Sequence, residues 1–167
     1  MIKVRYLHVL RHAKSSWDDP GLEDHERPLA ARGRKAGKRL AKHLRREGIQ
    51  PELVLCSSSR RTRETLELIR TALGEAVIVI EGGLYAAGCD RLLTRLNKLP
   101  ETAGSVLIIG HNPGLQDLAR TLAPEATRLA EKFPTCALAT FALDAPWSLL
   151  GDAPATLVSY VVPRELA

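Results

Sequence analysis

A chain of 167 residues, 45% hydrophobic and 26% charged, fits one globular domain over residues 1–167, and the 4% aromatic content leaves the core to Leu, Val, Ile and Ala. Cys56, Cys89 and Cys136 are too widely spaced for a disulfide framework or a Cys-x-x-Cys zinc site, charges in Met1-Ile2-Lys3-Val4-Arg5 interrupt a signal-peptide core, and no apolar run nears the roughly 20 residues that span a bilayer, so a cytoplasmic protein without a membrane partner is expected. The net charge of +5 suits an anionic partner without naming one.

The first strand is expected over Arg5 to Leu10, ending in Arg11-His12 and a polar loop that runs to Pro28. A helix follows from about Ala30 to Arg46, because Leu29, Gly33, Ala36, Leu40 and Leu44 recur at the helical period, and Gly48 stops it. Leu53 to Cys56 is a short buried strand; any of Ser57, Ser58 and Ser59 can cap the next helix, which turns Thr62, Leu66, Ile69 and Leu73 inward. Val77 to Ile80 is the third strand, and Asp90 to Leu99 a helix with Leu92, Leu93 and Leu96 inward. Ser105 to Ile109 is the fourth strand, after which Asn112 reads as an N-cap with Pro113 at the first helical position. Two further strands, near Cys136 to Leu143 and Thr156 to Val162, complete an α/β sheet that is mostly parallel, with helices on both faces.

Two apolar strands therefore end in histidine, His12 and His111, and a serine-arginine loop follows a third. Ligands of open α/β sheets bind beyond the carboxyl ends of the strands, so these segments can converge although about a hundred residues separate the histidines. Arginines and helix N-termini make such a crevice electropositive, and a phosphoryl group is its natural guest. Histidine beside arginine is a recipe for nucleophilic phosphoryl transfer.

At these residues the chain resembles the histidine phosphatase superfamily, with its phosphoglycerate-mutase-like three-layer α/β/α fold. Arg11-His12-Ala13 is similar to the Arg-His-Gly motif, Arg27-Pro28-Leu29-Ala30-x-x-Gly33 to Arg-Pro-Leu-Thr-x-x-Gly, Ser57 to Thr65 to Ser-Pro-x-x-Arg-Ala-x-Gln-Thr, and Gly110-His111-Asn112 to the final histidine motif. The run Arg11 to Trp17 and the segment Phe133-Pro134-Thr135 resemble the phosphohistidine phosphatase branch. The resemblance implies His12 as nucleophile, Arg11 and Arg61 as phosphoryl-binding cations, and His111 as a donor to the same oxygens, as an imidazolium that nearby phosphate charge favours. Ser15, Asp18 and Asn112 are candidate substrate-binding residues. No metal or cofactor is implied, and the expected partner is a phosphohistidine-bearing protein such as a phosphocarrier or phosphotransfer domain. A short chain leaves room for only a minimal cap.

Ala13 stands where the motif has glycine, so its backbone must avoid glycine-only conformations. The family's general acid is the larger departure: Ala86 falls at the matching position, with Glu81, Asp18 and Asp90 as offset candidates. Losing that proton penalises an ester, whose alkoxide leaves poorly, by about 10² to 10⁴ in rate. Imidazole, with a pKa of about 6.5, departs far more readily. Phosphohistidine on a protein is thus the favoured substrate, and broad phosphomonoester hydrolysis the alternative.

Several residues are expected to be bland. Arg60 and Arg63 read as exposed helix residues, His8 as packed within its strand, and His25 and His43 as surface residues. Cys56 fails the Cys-x₅-Arg spacing of cysteine phosphatases, since position 62 is threonine. The basic stretch 32–46 carries eight Lys and Arg residues but no interleaved aromatics, so a solvated face is expected rather than a nucleic-acid site. A phosphoprotein- or RNA-binding domain using that helix is the non-enzyme alternative.

Overall fold

The computed structural model describes residues 3–166; Met1, Ile2 and Ala167, at the ends of the expected single domain, lie outside the described residues. Six strands form one sheet: β1 (Arg5–Arg11), β2 (Leu53–Ser57), β3 (Val77–Glu81), β4 (Ser105–Gly110), β5 (Leu138–Leu143) and β6 (Ala155–Val161). Their spatial order is β3-β2-β4-β1-β5-β6; the first four run parallel and β5 runs antiparallel to both neighbours.

The helices α1 (Ala31–Glu47) and α2 (Arg60–Ile69) cover one face, burying Leu40, Leu44, Leu66 and Ile69 against Leu10, Val54 and Ile109. On the other face α3 (Cys89–Asn97) and α4 (Gly114–Leu122) bury Leu92, Leu96, Leu115 and Leu118 against Leu7, Val9, Leu55 and Ile108. Cover on both sides explains why β1 is buried without alternation from Leu7 to Leu10. This is the three-layer α/β/α sandwich expected from the alternation of elements. Gly48, at φ 65, ends α1 in the left-handed conformation, and the Ser59 hydroxyl caps α2 by accepting from Thr62 N.

Three local expectations change. Leu115 N already donates to His111 O at 3.0 Å, so the first turn of α4 is wound from His111 and Asn112 lies inside that turn instead of capping it. His43 is not a surface residue: it is buried on α1, over a hollow it shares with His8 and Thr140. A short helix, α5 (Thr127–Glu131), which the sequence did not announce, follows α4.

Candidate active site

Because β1, β2 and β4 are parallel neighbours, their carboxyl ends lie along one edge, and each delivers a polar side chain there: Arg11 and His12, Ser57, and His111. Arg61, in the first turn of α2, joins them. The His12 and His111 rings stand 5.4 Å apart, and Arg61 Nη2 lies 3.5 Å from His111 Nδ1. The four residues that the sequence singles out are brought together.

His12 has a fixed tautomer. Its Nδ1 lies 2.7 Å from Ala13 O, a carbonyl that can only accept, so Nδ1 carries the proton and Nε2 is bare. Burial pushes its pKa down to about 3, assisted by the charges of Arg61 and Arg11 and outweighing the carbonyl's opposing pull. The loop that holds this ring is itself tied down. Ala13 N donates to Thr65 Oγ1 at 3.0 Å, and Cys136 N, at φ 63, donates to both Arg11 O and His12 O. Ala13 has no left-handed φ, so alanine is tolerated where the motif has glycine. Gly33 serves the same loop from the other side, since a Cβ there would lie 2.2 Å from Lys14 O.

The imidazolium expected of His111 depends on a phosphate beside it. Burial, then the Arg61 charge, lowers its pKa to about 4, which favours the neutral ring before any anion binds. With Arg61 donating to Nδ1, Nε2 carries the proton and donates to Ser57 Oγ at 2.8 Å. Ser57 is a site residue that the sequence named only as a cap candidate; its position at the end of β2 beside β4 was the available signal.

The arginines are held by groups with no motif. Arg11 Nη1 donates to Phe133 O at 3.1 Å, and Asn112 Nδ2 donates to the same carbonyl at 2.8 Å. The turn at Phe133 thus fixes both, while Asn112 Oδ1 is buried without a partner among the described residues. Arg61 is gripped by Asp24, at 2.8 Å from Nη1 to its carbonyl and 3.0 Å from Nη2 to its carboxylate. Asp24 belongs to a 3-10 turn (Asp24–Glu26) in the long β1–α1 connection and also binds Arg27 Nε, at 3.2 Å. Tyr85 OH donates to the same carboxylate at 2.6 Å, and its ring meets His111 edge-on. The Tyr85 hydroxyl, then Arg61 and Arg27, hold the Asp24 carboxyl down at about 2 against the opposing effect of burial. Neither Asp24 nor Tyr85 was singled out from the sequence. After these bonds, the Nε groups of Arg11 and Arg61 remain buried donors without a partner among the described residues. Two such N–H groups on neighbouring guanidiniums are equipped to hold an oxyanion.

The other candidates stand apart. Ser15 is buried and bridges to Leu29, lining the loop. Asp18 is exposed, and its carboxylate makes no hydrogen bond or ion pair among the described residues. Glu81 is locked into a two-pronged pair with Arg95 at 2.7–2.9 Å, and Asp90 is exposed in the first turn of α3. Ala86, exposed at φ 56, carries no acid. Cys56 is fully buried with its thiol pushed up to about 12, which removes it as a nucleophile. Arg60 and Arg63 are exposed as expected; His8 is packed against Thr140 at 2.8 Å, while His25 is half-buried between Ser58 and Tyr85. Among the described residues no three His, Cys, Asp or Glu side chains are grouped to hold a metal ion.

The profile of the histidine phosphatase superfamily (branch 1) matches residues 7–85, the segment carrying Arg11, His12 and Arg61. The chain belongs to the histidine phosphatase superfamily. An uncharacterized protein of Mycobacterium tuberculosis is 33% identical over 162 residues, covering 93% of this chain and 100% of that one. Among solved structures, a candidate phosphohistidine phosphatase SixA from Nakamurella multipartitia is 26% identical, with a TM-score of 0.84 over 96% of each chain. The protein histidine phosphatase SixA complexed with tungstate is 25% identical, with a TM-score of 0.80 over 96% of this chain and 98% of that one. Membership supports a phosphatase.

Proposed function

We propose that the protein hydrolyses phosphohistidine on another protein through a covalent phosphohistidine at His12. The observation that carries this reading is the pair of buried, unpartnered Nε donors of Arg11 and Arg61 beside an imidazole whose Nε2 is bare. Similarity to a SixA complexed with tungstate, a tetrahedral oxyanion, supports it.

In the first step the His12 Nε2 lone pair forms a bond to phosphorus while the substrate's phosphorus–nitrogen bond breaks. A substrate ring protonated on its far nitrogen leaves as neutral imidazole, so no side chain must deliver a proton to the departing atom. Arg11 and Arg61 hold the equatorial oxygens as charge redistributes. A bound dianion would oppose the depression of the His111 pKa and favour its donating form. In the second step water attacks phosphorus, and His12 departs as a neutral ring. The Ala13 carbonyl favours this by keeping the proton on Nδ1 throughout.

Ester cleavage is disfavoured by the same geometry. Asp24, the carboxylate bonded into the site, is held ionised by Tyr85, Arg61 and Arg27 and has no proton to give, while Glu81 is paired elsewhere. Metal-free assays on a phosphohistidine-bearing phosphocarrier and on p-nitrophenyl phosphate, with wild type and His12→Ala, test the reading. Fast loss of phosphohistidine that requires His12, with slow ester cleavage, is the expected outcome. Ester cleavage as fast as phosphohistidine loss would make a broad phosphomonoesterase the better description, and turnover of neither would overturn the catalytic reading.

A further inference from the structure

A groove of about 330 Å³ opens at the rim of the site. Five cations line it: Lys14, two residues beyond His12; Arg32, Lys35 and Arg39 on α1; and Arg164 in the C-terminal 3-10 turn (Pro163–Glu165) that packs on α1. Arg32, Lys35 and Arg39 are spaced three and four apart, which sets them on one helical stripe. Among the described residues no acidic side chain lines the groove. Several arginines elsewhere are paired, as Arg5 with Glu101, Arg60 with Glu64, Arg70 with Glu67, Arg95 with Glu81 and Arg128 with Glu165, while Arg34, Arg45, Arg46, Arg91 and Arg120 join no ion pair among the described residues. None of the five groove cations joins an ion pair or donates a side-chain hydrogen bond among the described residues. Like charges gathered without counterions repel one another, and an incoming polyanion relieves that repulsion.

The rest of the lining, including Ala36, Pro134 and Val162, is apolar or small, and no aromatic ring is present on which a base could stack. Pro134 and Thr135 belong to the turn whose Phe133 carbonyl holds Arg11, so groove and site share a wall. His12 is only 6% exposed, so a phosphohistidine on a protein reaches it only if the protein's own surface is pressed against the rim. A standard contact of about 800 Å² per partner extends about 16 Å from its centre, and the groove begins at Lys14, two residues beyond His12.

We infer that this groove docks an acidic protein surface flanking the phosphohistidine, so that Arg32, Lys35 and Arg39 select the partner while Arg11 and Arg61 hold the phosphoryl group. The inference rests on the phosphohistidine reading of the site. Charges placed at a rim act mainly on association rate and its salt dependence.

The test uses Arg32→Glu/Lys35→Glu/Arg39→Glu, all exposed positions, with an unchanged thermal midpoint as the folding control and Arg32→Lys/Arg39→Lys as the charge-conserving variant. Binding of a fluorescein-labelled polyglutamate peptide and of single-stranded RNA, each of about 20 units, is read by anisotropy at low and high salt. Wild type and the conservative variant are expected to bind the peptide with steep salt dependence, and the triple variant about tenfold or more weakly. For a phosphohistidine within a glutamate-rich peptide, kcat/KM should fall about tenfold in the triple variant, with hydrolysis of free phosphohistidine unchanged. Peptide binding indifferent to the triple change, or tighter RNA binding through the same three residues, would overturn the inference. Failure of wild type to hydrolyse either substrate would instead sink the phosphohistidine reading, while peptide binding still decides the groove.

Discussion

Of the four buried histidines, His8, His12 and His111 have strongly depressed pKa values, and acid should therefore unfold this protein earlier than its charge alone suggests. Burial lowers His8 to about 4, His12 to about 3 and His111 to about 4, against 6.5 in an exposed ring. Below pH 6.5 the unfolded chain binds protons that the folded one refuses. The stability is therefore complete above the unfolded value and is lost as pH falls toward the folded values. At pH 5 each ring contributes a loss of about 2 kcal/mol, or about 6 kcal/mol for the three, from 1.36 kcal/mol per unit of pH. That is comparable with the whole stability of an ordinary domain, about 5–15 kcal/mol. Urea unfolding followed by far-UV circular dichroism at pH 8, 6 and 5 measures it directly. His8→Gln should reduce the difference between pH 8 and pH 5 by about 2 kcal/mol, because its ring leaves the titration. A stability at pH 5 within about 1 kcal/mol of that at pH 8 would refute the argument, as would an unaltered pH dependence in His8→Gln.

Other consequences are local. Asp24→Asn keeps an acceptor near Arg61 but removes the charge, so kcat/KM should fall by about 10- to 100-fold, matching the 1.5–3 kcal/mol of a hydrogen bond to a charged group. Unchanged kinetics would mean that the Asp24 carbonyl alone positions Arg61. Ala86→Gly should raise stability by about 1 kcal/mol, because φ 56 disfavours a side chain, and thermal denaturation reads this out. In Gly33→Ala the added methyl would meet Lys14 O at 2.2 Å, so the loop after His12 must shift. Reduced kcat with a lowered thermal midpoint is expected, and wild-type values for both would show that α1 can move away without disturbing His12.

The parts of this molecule legible in its sequence are those governed by local rules. Hydrophobic period marked α1 and its stripe through Leu40 and Leu44, and apolar runs marked the parallel strands; parallel strands put His12 and His111 at one edge whatever their separation in sequence. The groups that tune these residues obey no local rule. Asp24 lies in a loop whose path is set by Arg61, a residue 37 positions later, and Tyr85 reaches that carboxylate from beyond β3. Asn112-Pro113 matched the local grammar of a helix start, yet the His111 carbonyl took the first helical bond and the Phe133 carbonyl, 21 residues on, took the amide. His43 failed in the same manner, because a polar ring on a mostly basic helix reads as solvated until the hollow beneath it is known. The charge states in the site follow the same division. The imidazolium expected of His111 draws on the charge of a phosphate, since a ring enclosed by protein and facing Arg61 is otherwise penalised twice for gaining a proton. The unpartnered Nε groups of Arg11 and Arg61 leave the site with donors for an oxyanion, and an ionised Asp24 leaves its hydrogen-bonded network without a carboxylic acid. On the proposed phosphohistidine reading, that balance suits a leaving group able to depart as a neutral ring better than one that needs a proton as it leaves.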